Sequence, residues 1–306
     1  MKFLALVIAL LCEQSRPLRS ANPAALALRR YVDTLDRQLN AGDYRQGVAA
    51  WLAAAALPAL VAGLIGLLLW RVTPLLGLAW GVVVLYFTMG FRQFSHFYSE
   101  IQLLLKEGNV AAARERLNAW RGSGATEYTA SEIARVAIEL GLANSHRHVF
   151  GPVLWFIVLG PAGAVLYRIA ALLAEDWGRR AEPEFGRFGE FAQRAFFWID
   201  WLPARLTAAS FAVVGNFEDA VYCWRNQAQA WRTRAHDVIV ATGGGALGVR
   251  LGEALHEYDG LELRPELGLG DEADADHMQS AVGLIWRALV LWVFLVFLVT
   301  IAHSLG

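Results

Sequence analysis

One apolar run constrains this chain more than any other feature. Residues 47–70, "GVAAWLAAAALPALVAGLIGLLLW", contain no charged residue over a length that can cross a bilayer as a helix. A second run, "TPLLGLAWGVVVLYFTMGF" (73–91), follows after only Arg71 and Val72, and the two read as a tight transmembrane hairpin. Pro58 and Gly63 inside the first run are tolerable there, because neighbouring helices can satisfy freed backbone groups. Composition agrees. Hydrophobic residues make up 56% of the 306, and charged residues 18%, below the roughly 25% usual for soluble domains. Mean hydropathy is +0.38. The twelve Trp suit a membrane–water interface. The expected class is a mostly α, polytopic helical membrane protein with a cytoplasmic helical portion.

Further runs extend the pattern. "MKFLALVIALLCEQ" opens the chain with one lysine and an apolar stretch, but no small-x-small cleavage site follows. It reads as an uncleaved helix that enters the membrane or lies at its interface, too short to span alone. "FGPVLWFIVLGPAGAVLYRIAALLA" (150–174) reads as a third span, with Arg168 near its far end. "FFWIDWLPARLTAASFAVVG" (196–215) reads as a fourth, and "SAVGLIWRALVLWVFLVFLVTIAHSLG" (280–306) as a last. The total is four to five membrane segments.

The polar regions have their own signals. Within 92–149, apolar residues at helical spacing and a Gly-Asn break at 108–109 predict two amphipathic helices. Thr129 precedes Glu132 by three residues, a capping-box pattern that opens a third helix over "SEIARVAIEL". The domain reading is 1–91 for an N-terminal helix and transmembrane hairpin and 92–149 for a cytoplasmic helical subdomain. Two further membrane segments fill 150–217, a cytoplasmic Gly-rich and acidic region fills 218–280, and a C-terminal transmembrane helix fills 281–306.

The fourth segment raises a chemical question, because it keeps Asp200, Pro203 and Arg205 in apolar surroundings. Pro203 cannot donate to the carbonyl of Ile199, so a kink or interruption is expected near 199–203. Asp200 and Arg205 are five apart, beyond the usual i,i+4 contact. Three readings stay open: a pair inside the bundle, a ligand contact, or a stretch 196–203 lying at the interface with Trp198 and Trp201 as anchors.

Other motifs weigh less. "GGGALG" (243–248) formally fits G-x-G-x-x-G, but neither the βαβ context nor the later acidic residue follows, so close packing of a glycine-rich helix is expected. His146 and His148 flank Arg147 as polar boundary residues. The run "DEADAD" (271–276) reads as a solvated, mobile linker. Cys12 and Cys223 are far apart and form no metal or redox spacing. A net charge of −1 gives no drive toward nucleic acid. No cofactor or metal site is expected from spacing alone, and the lipid bilayer is the expected partner.

Four segments, "EIARVAIE", "GPVLWFIVLGPAGAVLYR", "DWLPARLTA" and "GALGVRLG", occur in an order that resembles the CobD/CbiB membrane family. That family includes the cobinamide-phosphate synthases of cobalamin biosynthesis and AmpE, a membrane protein linked to β-lactamase regulation. The resemblance covers residues 90 to 265. It implies a bacterial-type inner-membrane, multi-pass location and a ligand pocket drawn from Glu139, Asn144, Tyr167, Arg168, Asp200 and Arg205, with the catalytic residues left unassigned. Asp200-Trp201 looks closer to AmpE than to the synthases. Apolar or cationic residues stand at Ala143, Arg147, Ala171, Ala174, Phe196 and Phe197, where the synthase pattern carries acids or amides. Arg16-Pro17 stands where that pattern carries His-Pro. The resemblance therefore implies a degenerate synthase site and a sensing or regulatory role without catalysis. Two alternatives stand beside it. One is ATP-dependent amide ligation in cobalamin biosynthesis, which alone would bring Mg²⁺ and ATP. The other is a scaffold or small-molecule-binding subunit of a membrane complex, with a corrinoid-like or other small ligand and an oligomeric state left open.

Arginine counts orient the chain. Residues 13–46 hold six Arg, 92–149 hold six Arg and one Lys, 218–280 hold five Arg, and 175–195 hold four. Positive-inside bias places the first three regions in the cytoplasm. Cysteine labelling should therefore mark Gly122→Cys and Glu272→Cys from the cytoplasmic side and Glu182→Cys from the other. Labelling of the first two from opposite sides would refute this topology.

Overall fold

The computed structural model describes residues 1–15, 23–122, 127–178, 186–228, 235–252, 255–257, 260–262 and 264–305. In chain order the first helices are α1 (Lys2–Ser15), α2 (Pro23–Leu39), α3 (Tyr44–Trp51), α4 (Leu57–Val72) and α5 (Pro74–Thr88). Next come α6 (Phe91–Lys106), α7 (Val110–Arg121), α8 (Ala130–Ser145), α9 (Gly151–Leu159) and α10 (Pro161–Asp176). Then follow α11 (Glu190–Val214), α12 (Phe217–Asn226), α13 (Ala235–Leu247), four short strands and α14 (Ala275–Leu305). The chain divides into two units. One comprises Met1–Gly90, Arg147–Pro203 and Val293–Gly306; the other comprises Phe91–His146 and Ala204–Trp292.

The first unit carries the apolar runs. A π turn, Leu52–Ala56, joins α3 to α4, so residues 44–72 form one apolar helix of 29 residues. The π turn sits just before Pro58, which cannot donate to the carbonyl of Ala54, and the wider turn accommodates that missing bond. Thr73 alone separates α4 from α5. Its hydroxyl accepts the Leu76 N–H at 3.3 Å, and Pro74 opens α5 without needing a donor. Trp80 Nε1 then donates to the Ala62 carbonyl at 2.9 Å, closing the hairpin. The outward faces are apolar: Leu60, Leu64, Leu67 and Leu68 on α4 and Leu75 and Val83 on α5 are all exposed. At 15 residues, however, α5 falls short of the ~20 that spanning needs.

The segment expected as a third span is instead a helical hairpin. Gly160 adopts φ +65, a left-handed geometry that suits glycine, and Pro161 starts a new helix. The turn is tight enough that a Cβ on Gly163 would lie 2.0 Å from the Trp155 carbonyl oxygen. With 9 and 16 residues, α9 and α10 are each too short, at ~1.5 Å per residue, for a ~30 Å hydrocarbon layer. Lys2 Nζ donates to the Ile157 carbonyl at 2.7 Å, satisfying one of the orphan groups at the end of α9.

The second unit carries the polar helices, and most of their boundaries follow the sequence signals. Asn109 caps α7 by accepting the Ala112 N–H at 3.1 Å, with Gly108 at φ +74 making the break. The capping box is complete: Thr129 Oγ1 accepts from Glu132 N–H, and Glu132 Oε2 accepts from Thr129 N–H at 2.8 Å. The glycine run of α13 is a packing surface. A Cβ on Gly243 would lie 2.6 Å from Leu142 Cδ1, on Gly244 2.8 Å from Gly268 Cα, and on Gly245 2.6 Å from the Asp219 carbonyl oxygen.

One feature of this unit was not expected, and one expectation needs correction. Short antiparallel pairs run through its Gly-rich segment: β1 (Arg250–Leu251) with β4 (Leu267–Gly268), and β2 (Leu255–Glu257) with β3 (Gly260–Glu262). The acidic run at 271–276 is not a mobile linker. Arg250 N–H donates to the Asp271 carbonyl, and Asp274 Oδ1 accepts the N–H groups of Asp276 and His277 at 2.9 and 2.8 Å, capping α14.

Helix α14 has 31 residues, about 46 Å, more than a bilayer core needs. Its first part buries Met278, Ala281, Leu284, Ile285 and Ala288 in the second unit, while Phe294, Leu295 and Val299 farther on are exposed. Among the described residues two helices, Tyr44–Val72 and Ala275–Ala302, are thus long and apolar enough to cross a membrane, against the four to five segments expected.

Cys223 in α12 is fully buried. Burial, followed by the Asp219 carboxylate, raises its thiol to about 11. Because the thiolate is the nucleophile, Cys223 should resist maleimide at pH 7.5 in a folded Cys12→Ala variant and react on unfolding. Native labelling at the rate of a free thiol would contradict this packing.

Candidate functional site

The two family-like segments of the first unit interlock. Tyr167, at 0% exposure, donates its hydroxyl to Asp200 Oδ1 at 2.7 Å, and Asp200 is itself 3% exposed. Trp155 Nε1 donates to the Ile199 carbonyl at 3.0 Å. That carbonyl is the one Pro203 cannot reach, so an indole N–H replaces the missing helical donor. Helix α11 accordingly runs from Glu190 to Val214 without the interruption expected near 199–203. Gly151 makes the contact sterically feasible, since a Cβ there would lie 2.1 Å from the Tyr167 ring.

Next to this lock is a cluster of charge. Arg168 Nη1 donates to His148 Nδ1 at 2.9 Å. Burial first, and then the guanidiniums of Arg168 and Arg147, hold the His148 imidazole well below its usual range. A neutral ring that accepts at Nδ1 carries its proton on Nε2. Arg147 Nη1 pairs with Glu175, and its guanidinium lies 5.7 Å from the centre of the Phe196 ring. His148 and Arg147 sit in a π turn, His146–Phe150, a device frequent at functional sites.

The second unit has its own buried carboxylate. Glu139 on α8 accepts the Gly252 N–H at 2.8 Å and pairs with Arg264. Its side chain is 4% exposed and that of Arg264 19%, so the pair is largely desolvated. The contact pins the β1–β4 region to α8. Nearby in sequence, His146 Nδ1 lies 3.0 Å from Thr207 Oγ1.

The six expected pocket residues therefore divide. Tyr167, Arg168 and Asp200 belong to the first unit, while Glu139, Asn144 and Arg205 belong to the second. Asn144 and Arg205 are half-buried. Asp200 has Tyr167 as a partner, and Arg205 lies across the unit boundary in sequence. Trp198 is 66% exposed, and Trp201 is half-buried. Sequence reasoning missed Trp155 and Arg264 as partners and set His148 aside as a boundary residue. The missing donor at Pro203 is the signal that calls for a group such as Trp155.

A divalent cation needs several oxygen or nitrogen ligands at one place. Among the described residues no three His, Cys, Asp or Glu side chains form a set that could hold a metal ion. Ala171 and Phe196 lie in the hydrophobic core of the first unit, with Ala174 packed against it. An apolar core supplies none of the oxygen ligands that Mg²⁺ needs, so these positions do not fit it. Arg16-Pro17 and Glu182 lie outside the described residues.

If Tyr167 and Asp200 are coupled, Tyr167→Phe and Asp200→Asn should each destabilise the detergent-solubilised protein by about 1.5–3 kcal/mol, the range for a hydrogen bond to a charged group. The double variant should cost less than the sum of the two. Additive thermal melts would mean that the two side chains act separately.

Comparison with known proteins places this sequence in a lineage. A family model described as CobD/CbiB protein matches residues 3–285. A protein of Stutzerimonas stutzeri named cobalamin biosynthesis protein CobD is 34% identical over 273 residues, covering 87% of this chain and 88% of its own length. The protein of the same name from Chromobacterium violaceum is 36% identical over 219 residues, 72% of this chain and 70% of its own. The one from Mycobacterium tuberculosis is 29% identical over 234 residues, 74% of each. No solved structure matches.

Proposed function

The chain belongs to the CobD/CbiB family, and from that membership we propose that it acts in cobalamin biosynthesis, in the step that joins an amino-alcohol to a corrinoid carboxylate through an amide. The supporting observation is the identity to a protein named for that pathway, held over 88% of the relative's length. The names of these relatives favour the synthase-type reading over the regulatory, AmpE-like one that the apolar substitutions suggested. We place the chain in the inner membrane as a multi-pass protein, with the helices 44–72 and 275–302 crossing and the exposed leucines of α4 facing lipid.

Amide formation requires that a carboxylate be activated, commonly through a phosphorylated intermediate, and that an amine lose a proton as it attacks. ATP would supply the activation. This chain's residues contribute fixed charge. Arg147 and Arg168 offer guanidinium donors to anionic groups, Asp200 is held in one orientation by Tyr167, and Glu139 is held by Arg264 and the Gly252 N–H.

A second reading keeps one observation in its favour. Ala171 and Phe196 are buried in an apolar core where the synthase pattern has oxygen-bearing side chains. On that reading the protein binds its ligand and signals without turnover.

Complementation separates the two. A synthase-deficient strain fed cobyric acid and carrying this chain should accumulate the amide product, detected by mass spectrometry as cobinamide, or as cobinamide phosphate where the amino-alcohol enters as its phosphate ester. The Glu139→Ala variant should lose most of that product, because Arg264 is left as an unpaired, largely buried charge. Normal membrane expression without product would reject the enzymatic reading and leave the binding one.

A further inference from the structure

The reversal at Gly160 has a measurable depth, because the α9–α10 hairpin packs along the helix 44–72. The large exposed apolar side chains of that helix begin at Leu52 and end at Val72, a run of about 30 Å, which is the thickness of a hydrocarbon layer. A Cβ on Gly63 would lie 3.0 Å from Ala162 Cβ, and one on Gly66 would lie 3.4 Å from Pro161 Cγ. The tip of the hairpin is therefore level with Gly63 and Gly66, and Val72, at the end of α4, lies about 9 Å beyond it. The tip stops inside the layer. Its Val158 and Leu159 are exposed like the leucines of α4. A turn at such a depth must satisfy its backbone from within the protein. Gly160 N–H donates to the Phe156 carbonyl at 2.8 Å, Gly163 N–H to the Gly160 carbonyl at 3.0 Å, and Lys2 Nζ to the Ile157 carbonyl at 2.7 Å.

Both arms return to the start of the helix 44–72. Arg147, before α9, pairs with Glu175 near the end of α10. Leu173 and Trp177 join Ala50, Trp51 and Ala54 in one buried cluster. Past α10, Arg187 N–H donates to the Gly42 carbonyl at 2.9 Å, and a Cβ on Gly47 would lie 2.1 Å from the Phe188 carbonyl oxygen. The chain on both sides of the hairpin thus meets the same end of the long helix. Charge agrees. Residues 13–46 hold six Arg and 175–195 hold four. Four Arg in so short an external segment would run against positive-inside bias, and a hairpin that returns to the side of residues 13–46 removes the conflict.

We propose that residues 147–176 form a re-entrant hairpin that enters the bilayer from the cytoplasmic face, reverses among the acyl chains at Gly160-Pro161 and leaves by the same face. The stretch 175–195 is then cytoplasmic, opposite to the side expected when 150–174 is read as a complete span. The proposal rests on the placement of the helix 44–72 across the membrane, and it does not depend on whether the chain forms an amide.

The test labels the full chain with a membrane-impermeant maleimide in right-side-out and in inverted vesicles, on a Cys12→Ala background that keeps the buried Cys223. Asp43→Cys and Arg71→Cys mark the two ends of the helix 44–72, and Arg194→Cys lies beyond the hairpin; all three positions are exposed. Asp43→Cys and Arg194→Cys should react only in inverted vesicles, and Arg71→Cys only in right-side-out ones. Val158→Cys, at the tip, should react in neither, because the charged reagent stays in water and an apolar layer disfavours the thiolate. If Arg194→Cys does not fold, Arg187→Cys, also exposed, reports on the same stretch. Reaction of either in the vesicles that label Arg71→Cys would show a complete crossing and overturn the proposal. So would reaction of Val158→Cys in those vesicles, since the tip would then reach the far side. If Asp43→Cys and Arg71→Cys react in the same vesicles, the helix 44–72 does not cross, and the membrane placement fails together with the hairpin.

Discussion

A proline in the middle of an apolar helix removes one donor, and much of the first unit is arranged around that loss. Pro203 leaves the Ile199 carbonyl without its helical partner, and in a medium poor in water such a carbonyl must be satisfied from within the protein. The indole of Trp155 does so at 3.0 Å. This fixes α9 against α11. One residue further on, Asp200 accepts from Tyr167, which fixes α10 against the same helix. The two bonds tie both arms of the α9–α10 hairpin to one turn of α11. They also explain the residues around them: Gly151 clears space for the Tyr167 ring, and Gly160-Pro161 makes the sharp reversal that brings both arms to the same turn.

The hairpin changes what the apolar pattern means. Residues 150–174 have the length and composition of a span, yet the chain reverses at Gly160. A continuous helix there would carry Trp155 and Tyr167 more than three turns apart along one axis, at 3.6 residues per turn. They could not then serve adjacent residues of α11. Polar anchoring therefore competes with hydrophobic length and prevails locally, because two buried hydrogen bonds are specific while apolar burial is available to either conformation.

Short-range signals in the sequence were legible because their physics is local. The capping box of Thr129 and Glu132, the cap at Asn109 and the Thr73-Pro74 helix start each involve atoms within four residues. The close packing of Gly243 to Gly245 was legible too, since the nucleotide alternative lacked its context. The reversal at Gly160 was signalled by Gly-Pro but outweighed by an apolar run of spanning length. Partners distant in sequence were not legible: Arg264 lies 125 positions from Glu139, and Trp155 lies 44 from Ile199. Periodicity reports which face is buried, not which polar group it will meet there. The acidic run at 271–276 misled for a related reason, since an aspartate that caps a helix reads the same in sequence as one that is merely solvated.

The carboxylates make the last step of the argument. A row of acids is available to a cation only if the protein has not already matched it. Here Glu139 is matched by Arg264 and a backbone N–H, Asp200 by the Tyr167 hydroxyl, and Glu175 by Arg147. Ala171 and Phe196 lie in the apolar core of the first unit, with Ala174 packed against it, and add no oxygen ligand. An acid engaged in this way must give up its partner before it can ligate a free divalent cation, and a carboxylate with a guanidinium beside it is the poorer competitor for that cation. These carboxylates are therefore part of the packing of each unit, where Glu139 holds α8 to the β1–β4 region and Asp200 holds α11 to α10.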